Sequence, residues 1–290
     1  MTPDRQSLRY GTLGVYSTDD AWNFLIRYFD KEFSSILPEY LPPKLLSPDK
    51  VFRHNRCDDG FSSVSIFRRF PGVSLCIADA RNKAIDLCEN SSTPSTYSRT
   101  SRTKEVVTIR EGLRDRLPCA ADSFDVSITN LGRYLADFGS PRTLVNETFR
   151  TLKTGGVAVF SVPTELGIRR AIDRIQEQLP KSEEGGPSQV LLDTTQWCSF
   201  DKLQEMMKDV GFRDTAVWTR KKRVVLTKEE LKQVVLLGVQ LFTCRDWFAM
   251  DYGQWLPDTV ANLIDNGEFG HVSDQYGRIS LKIAIVKGTK

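Results

Sequence analysis

Two short polar segments of the chain follow apolar runs that are typical of buried strands. Asp79 comes directly after residues 73–78, and Asn130 and Leu131 come directly after residues 124–129. In an open α/β sheet, ligands bind beyond the carboxyl ends of the strands, near the point where the strand order reverses. A carboxylate there can accept hydrogen bonds from ligand hydroxyl groups, each worth about 1.5–3 kcal/mol. Asp79 is therefore a candidate ligand-binding residue, and the alternative is that it only caps the next helix.

The segment of residues 117–163 predicts the elements that would position these residues. Residues 124–129 form a β-rich run behind a turn-prone Ala-Asp-Ser. Residues 141–153 have apolar side chains at close to helical spacing, and the Thr-Gly-Gly at 154–156 is predicted to end that helix. Residues 157–162 are a second predicted strand. Two strands joined in this way make a right-handed crossover in a parallel sheet.

Further elements are predicted on both sides of this unit. They are a strand–helix–strand half at residues 51–80, a strand at 105–109, helices at 200–210 and 228–242, and a terminal strand at 279–286. The strand at residues 73–78 is apolar throughout, as is typical of a buried parallel strand. Gly211 is expected to close the helix that begins at Phe200.

These motifs resemble a known family. The FDV of the strand, the Asn-Leu-Gly that follows it, the helix ending LKTGG and the strand VAVFS are similar to the second half of class I S-adenosylmethionine-dependent methyltransferases. The nearest subgroup is the ubiquinone-biosynthesis-like, type 11 set, and the similarity covers roughly residues 45–220. The resemblance implies an α/β fold: a Rossmann-like, doubly wound, mostly parallel sheet with an antiparallel edge strand, plus helical N-terminal and C-terminal additions.

The resemblance also implies a set of cofactor residues. It assigns the ribose carboxylate to Asp79, with Ala80 beside it, and it places Asn130 and Leu131 where family members contact cofactor and substrate. Gly60 matches the last glycine of the family's Asp-x-Gly-x-Gly-x-Gly loop. The backbone of Leu113 could reach the adenine, although a leucine stands where the family has an aspartate.

The glycine-rich loop departs from the family pattern. The aligned segment reads His-Asn-Arg-Cys-Asp-Asp-Gly over residues 54–60, so Arg56 and Asp58 occupy two glycine positions. A non-glycine residue in a left-handed conformation costs roughly 1–2 kcal/mol. The carboxylates of the loop would also meet the cofactor's carboxylate unfavourably. The sequence therefore predicts impaired S-adenosylmethionine binding.

The composition excludes several classes of protein. The 290 residues carry a net charge of +3, which permits nucleic-acid binding without indicating it. Six scattered cysteines lack CxxC spacing and the two histidines lie far apart, so no metal site is expected. The longest apolar run is too short to span a bilayer, and the N-terminus has no signal core. A cytoplasmic, intracellular location with reduced thiols is expected.

The predicted organisation has three parts. Residues 1–50 form an N-terminal arm and cap helix, which either covers the core or acts as a lid. Residues 51–220 form the methyltransferase-like core, and residues 221–290 form a helical, aromatic addition with the terminal strand. The basic run at residues 220–223 is either a solvated strand end or a site for an anionic partner. The aromatic side chains of residues 247–255 either pack in a core or line a hydrophobic pocket.

Three functions are compatible with these features. The first is a methyltransferase-like binding or regulatory subunit, with a protein partner, that has lost methyl transfer. The second is an active methyltransferase on a small molecule, for which His54 is the candidate general base by position and Tyr134, Asp137 and His271 are weaker ones. The third is a methyltransferase-like fold reused to cyclise a hydrophobic metabolite. Motif content favours the first.

Overall fold

The structure is a computed structural model with a seven-stranded sheet at its centre. It describes residues 36–47, 49–55, 73–79, 106–110, 116–117, 119–129, 141–166, 174–175, 177, 199–242, 255–267 and 276–290. The strands are β1 Val51–Asn55, β2 Ser74–Asp79, β3 Val106–Arg110, β4 Phe124–Thr129, β5 Leu152–Leu166, β6 Arg213–Thr227 and β7 Tyr276–Thr289. Their order across the sheet is β3-β2-β1-β4-β5-β7-β6.

The strand order shows where the direction in which successive strands are added to the sheet reverses. The chain runs outward from β1 through β2 to β3, then returns to place β4 on the other side of β1. The first five strands pair in parallel, and β7 runs antiparallel to both β5 and β6. The topological switch point therefore lies between β1 and β4. The fold class is confirmed, with one refinement: β7 lies one place in from the edge, because β6 pairs along its outer side.

In the described part of the chain, these α-helices accompany the strands: α1 Pro141–Thr151, α2 Phe200–Val210, α3 Lys228–Phe242 and α4 Trp255–Asp265. Two short 3₁₀ helices, Leu37–Tyr40 and Pro43–Leu45, precede β1. The apolar stripes of α1 and α2 pack on one face of the sheet, where they share a core with β4, β5 and β7. Its fully buried members include Leu144, Leu203, Met207 and Val286.

Two glycines let α2 approach the sheet. Gly211 ends α2 with a φ of 112°, a left-handed conformation that glycine adopts without strain. Gly288 of β7 lies under α2, and a Cβ there would stand 2.7 Å from the Met207 Cε and 3.0 Å from the Phe212 Cβ.

The predicted bounds of α2 and α3 match the structure. Ser199 caps the start of α2 and Gly211 its end, and α3 begins at a reciprocal pair of hydrogen bonds between Thr227 and Glu230.

The junction of α1 and β5 differs from the prediction. The helix ends at Thr151 rather than Lys153, and β5 begins at Leu152 rather than Val157. The chain leaves the helix early because Leu152 pairs with Phe124 of β4. Gly155 then has a φ of 78°, and a Cβ on Gly156 would stand 2.8 Å from the Lys153 carbonyl oxygen.

The connection between β6 and β7 carries α3 and α4, which pack against each other. Their buried contacts are apolar, with Leu231, Val234, Val260 and Leu263 among them. Lys228 of α3 and Asp265 of α4 form an ion pair at 2.9 Å. The proposed boundary between residues 220 and 221 lies inside β6, and the division into three parts stays a prediction.

Two kinds of feature are absent from the described residues. There, no helix is long and apolar enough to cross a membrane. No group of three His, Cys, Asp or Glu side chains that could hold a metal ion occurs in that same portion. Of the cysteines in that portion, Cys76 is buried and Cys119 is partly buried.

Candidate functional site

The carboxyl ends of four parallel strands meet at one edge of the sheet. Asn55, the last residue of β1, pairs with Ala78 of β2 on one side and with Thr129 of β4 on the other. Asp79, the last residue of β2, pairs with Arg110, the last residue of β3. The backbone thus brings the ends of β1, β2, β3 and β4 into register. The sequence predicted a ligand site at this edge, which we call the carboxyl edge.

The predicted site residues fall into two groups. Asp79 ends β2 at the carboxyl edge, and His54 lies within β1, where it pairs with Ile77 and Ile128. Gly60, Ala80, Leu113, Asn130 and Leu131 lie outside the described residues, as do Tyr134, Asp137 and His271. Most of the predicted N-terminal arm and cap helix and most of the aromatic stretch at residues 247–255 also lie outside them.

The sequence interpretation missed a buried arginine in β1. The side chain of Arg53 is 0% exposed, and its guanidinium donates hydrogen bonds to hydroxyl oxygens of three residues. The distances are 2.6 Å to Thr151 Oγ1, 3.2 Å to Thr148 Oγ1 and 3.2 Å to Ser127 Oγ. The group also lies 5.3 Å from the centre of the Phe124 ring. Arg53 therefore joins β1 to β4 and α1, one residue before His54.

The signal that could have revealed Arg53 is its place in the strand. Arg53 lies in the middle of β1, a central strand of the parallel part of the sheet. Both faces of a parallel sheet are usually covered by other elements, so a side chain at this place is buried. A buried guanidinium needs hydrogen-bond acceptors, and two threonines and a serine supply them here. These acceptors come from segments 74 to 98 residues away, so no local pattern indicates them.

A carboxylate on α1 fixes the segment that leads into β4. Glu147 Oε2 accepts a hydrogen bond from the Leu117 backbone N–H at 2.8 Å, and both its oxygens accept from Arg150 at 2.7 Å. Arg150 in turn donates to the Leu117 carbonyl at 3.1 Å. Burial alone would raise the pKa of the Glu147 carboxyl, but the hydrogen bonds from Arg150 and Leu117 outweigh it and hold that pKa below its ordinary value.

A second carboxylate joins three strands at their amino ends. Asp125 Oδ2 of β4 accepts from the backbone N–H of Val51 at 3.0 Å and from Lys153 Nζ of β5 at 2.8 Å. Lys50, just before β1, lies 3.7 Å from the other oxygen. We call this group the Asp125 anchor. It lies at the end of the sheet opposite the carboxyl edge and has no access to a ligand bound there.

The end of β7 lies beside the Asp125 anchor, at the amino end of β5. Lys290 exchanges backbone hydrogen bonds of 2.9 Å with Gly155 and Gly156 of β5. Its ammonium donates to Asp122 Oδ1 at 2.8 Å and to the Leu152 carbonyl at 2.7 Å. The amino ends of β1, β4 and β5 and the end of β7 are therefore held together by charged side chains.

Comparisons with known proteins identify the fold. No protein-family model matches the chain, and no curated protein matches it. Among solved structures it is similar to phosphoethanolamine N-methyltransferase 2 of Haemonchus contortus, which was solved with phosphomonomethylethanolamine and S-adenosylhomocysteine. The TM-score is 0.52 at 13% identity, over 95% of this chain and 60% of that one. It is also similar to the [4+2]-cyclase SpnF, with a TM-score of 0.50 at 14% identity, over 90% of this chain and 80% of that one.

The strand order and these similarities agree. The sequence resemblance implies a mostly parallel sheet with an antiparallel strand, and β7 is such a strand in the structure. At identities of 13% and 14%, the similarity extends to the fold alone. The chain has the fold of the class I S-adenosylmethionine-dependent methyltransferases.

Proposed function

We propose that this chain is a methyltransferase-fold binding or regulatory subunit with impaired or lost S-adenosylmethionine binding. One observation carries the proposal. Strand β1 ends at Asn55, beside the switch point, so the chain leaves the carboxyl edge there as Arg-Cys-Asp-Asp-Gly. This is the position where a nucleotide-type cofactor requires close approach of the backbone.

The side chains of this loop oppose cofactor binding for two physical reasons. Glycines at such a turn allow left-handed conformations and leave space for the ligand, and neither Arg56 nor Asp58 offers both. Asp58 and Asp59 also place negative charge where the cofactor's own carboxylate would bind. The strands at the carboxyl edge could position a cofactor, but the side chains of this loop disfavour its binding.

Titration calorimetry and a thermal shift with S-adenosylmethionine and S-adenosylhomocysteine test this proposal. A ligand at a hundred times its dissociation constant stabilises a protein by about 2.7 kcal/mol, which is visible as a shift in melting temperature. We expect no heat of binding and no shift for a protein whose circular dichroism and cooperative unfolding show that it is folded. Binding that disappears in Asp79→Ala would contradict the proposal.

A second candidate function is an active methyltransferase on a small molecule. Asp79 favours it, because it ends β2 at the carboxyl edge, where the resemblance assigns the ribose carboxylate. His54 is then the candidate base, and transfer depends mostly on proximity and orientation. Methyl transfer to any substrate of a small-molecule panel, lost in Asp79→Ala, would establish this function in place of the first.

A third candidate is cyclisation of a hydrophobic metabolite. The cyclase SpnF shares this fold, and residues 247–255 supply aromatic side chains for an apolar pocket. Such a function requires neither the glycine loop nor methyl transfer. It would be recognised by binding of apolar polyenes that is lost in Trp247→Ala and unchanged in Asp79→Ala.

The expected partner of the subunit is another protein, inside the cytoplasm. The basic run at residues 220–223 supports an anionic partner. The sequence predicted this run at the end of a strand, whereas in the structure it lies in the middle of β6. Nucleic acid remains the partner of lower priority, because a net charge of +3 over the whole chain supplies little long-range attraction.

A further inference from the structure

A pocket lies on β6 and β7, away from the carboxyl edge. Its volume is about 500 Å³, and it is lined by the end of the first 3₁₀ helix and by side chains of the two strands. The lining residues are Glu39, Tyr40, Leu41, Pro42, Trp218, Arg220 and Lys287. β7 and β6 are three and four strand positions from β1, which is about 14–19 Å at the usual strand spacing.

The register of β6 and β7 explains why two cations share this face. Ala216 pairs with Lys287 and Trp218 pairs with Ile285, so Lys287 and Trp218 are diagonal neighbours on one face. Arg220, two residues beyond Trp218, points to that same face. Lys221 alternates to the opposite face, where it pairs with Lys282.

Two aromatic rings form the floor of the pocket. The ring centres of Tyr40 and Trp218 lie 4.9 Å apart with an angle of 50° between the planes. The Arg220 guanidinium lies 5.3 Å from the Tyr40 ring centre, and the Lys287 ammonium lies 5.5 Å from the Trp218 ring centre. Both cations are thus held against apolar surface, close to the pocket.

The hydroxyl of Tyr40 has no hydrogen-bond partner in the described structure. Tyr40 is 8% exposed, and its oxygen is buried within this lining. A buried hydroxyl without a partner is unfavourable, so this group lowers the stability of the fold. Burial raises the pKa of Tyr40 above its ordinary value of 10.0, against an opposing effect of Arg220, so the group is a protonated donor near neutral pH.

We propose that this pocket binds a small organic anion, a phosphate or carboxylate joined to an apolar or aromatic body. Arg220 and Lys287 attract the anionic group. Leu41, Pro42 and the Trp218 ring contact the apolar body. A bare inorganic ion leaves most of the pocket empty, because cavities of about 300–1,000 Å³ are typical of whole small-molecule ligands.

The charges of the lining support this choice of ligand. Two cations and the single carboxylate of Glu39 leave an excess of positive charge at the pocket. Glu39 and Arg220 are both exposed, so the charged side of the pocket opens to solvent while Leu41 and Tyr40 are buried. The proposal does not depend on the proposed function, because no residue of the carboxyl edge takes part in it.

Four probes distinguish the contribution of the anionic group to binding from that of the apolar body. They are 1-naphthyl phosphate, 1-naphthoate, 1-naphthol and inorganic phosphate, each titrated into the full chain by calorimetry at fixed ionic strength. We expect at least one naphthyl anion to bind about tenfold tighter than both 1-naphthol and inorganic phosphate, as two cation contacts to an anion would give. The better of the two naphthyl anions identifies phosphate or carboxylate as the group preferred.

Matched variants locate the site. Arg220→Gln and Lys287→Gln should each weaken binding of the better probe about tenfold, in line with the loss of one hydrogen bond to a charged group. Lys221→Gln removes the same charge from the next residue of β6 on the opposite face, and it should leave affinity unchanged.

Three results would overturn the proposal. One is the absence of binding by either naphthyl anion at millimolar concentration. Another is an equal loss of affinity in Lys221→Gln and Arg220→Gln, which would indicate unspecific attraction by the strand's charge. The third is equal binding of 1-naphthol, which would indicate apolar contact alone.

Discussion

The two ends of the same sheet are specified in different ways. At the amino ends, the Asp125 anchor and Lys290 connect β1, β4, β5 and β7 through ion pairs and backbone hydrogen bonds of 2.7–3.0 Å. At the carboxyl edge, the strands end in register, and the loop that follows β1 has only Gly60 of the three glycines in the family's cofactor loop. The fold of the sheet therefore does not by itself determine what binds at its carboxyl edge.

The largest effect on stability is expected at Arg53. Arg53→Ala removes a fully buried side chain and its hydrogen bonds to three hydroxyls, and we expect a loss of about 2–5 kcal/mol in the free energy of unfolding. Arg53→Met retains most of the volume and should lose less. Urea unfolding measures both, with the exposed Arg213→Ala of β6 as the control. A change within 1 kcal/mol for Arg53→Ala would contradict the role of this network.

The Asp125 anchor should give the next largest effect. Asp125→Ala removes the acceptor of the Val51 N–H and of Lys153, and hydrogen bonds to charged groups contribute about 1.5–3 kcal/mol. Asp209→Ala is the matched control, because its pair with Arg142 is exposed and worth about 1 kcal/mol or less. If the two variants lose the same stability by urea unfolding, the amino ends are not specially anchored.

Glu147 should make part of the stability depend on pH. Its folded-state pKa is held below the ordinary value of 4.5, so the unfolded chain binds more protons in that range and stability rises with pH. The contribution is present above about pH 4.5 and is lost as the pH falls through the folded-state pKa. Glu147→Gln should be less stable than the parent at pH 7, and the difference should shrink towards pH 3. A difference that is constant with pH would exclude the ionised pair as its cause.

The smallest effect on stability is expected at the loop after β1. The double variant Arg56→Gly and Asp58→Gly changes two residues of this loop and leaves the Asp125 anchor and Lys290 unaltered. We expect a loss of about 1 kcal/mol or less, chiefly from greater freedom of the unfolded chain. A loss as large as that of Asp125→Ala would mean that this loop also holds the sheet, and the contrast between the two ends would fail.

Local signals account for what the sequence predicted well. The strand Phe124–Thr129 and the helices Phe200–Val210 and Lys228–Phe242 match because turns, caps and periodicity lie within each segment. The early start of β5 was missed, because its pairing with Phe124 involves a distant segment. Arg53 was missed for the same reason, since its three partners belong to β4 and α1.

For the candidate site, the sequence predicted which strand ends lie together but did not predict a mechanism. Apolar runs that end in Asp79 and Thr129 predicted which strand ends meet, and the register confirms that edge. The pocket at Tyr40 was not predicted, because it joins residues about 180 and 250 positions apart along the chain. The roles of the predicted site residues stay predictions: Asp79, His54, Gly60, Ala80, Leu113, Asn130 and Leu131.

The central claim is that the loop after β1, and not the scaffold, prevents cofactor binding. Calorimetric titration of S-adenosylhomocysteine into the parent chain and into the Arg56→Gly and Asp58→Gly double variant tests it directly. The account predicts no binding by the parent and measurable binding by the double variant, lost again when Asp79→Ala is added. Tight binding by the parent chain, dependent on Asp79, would contradict it.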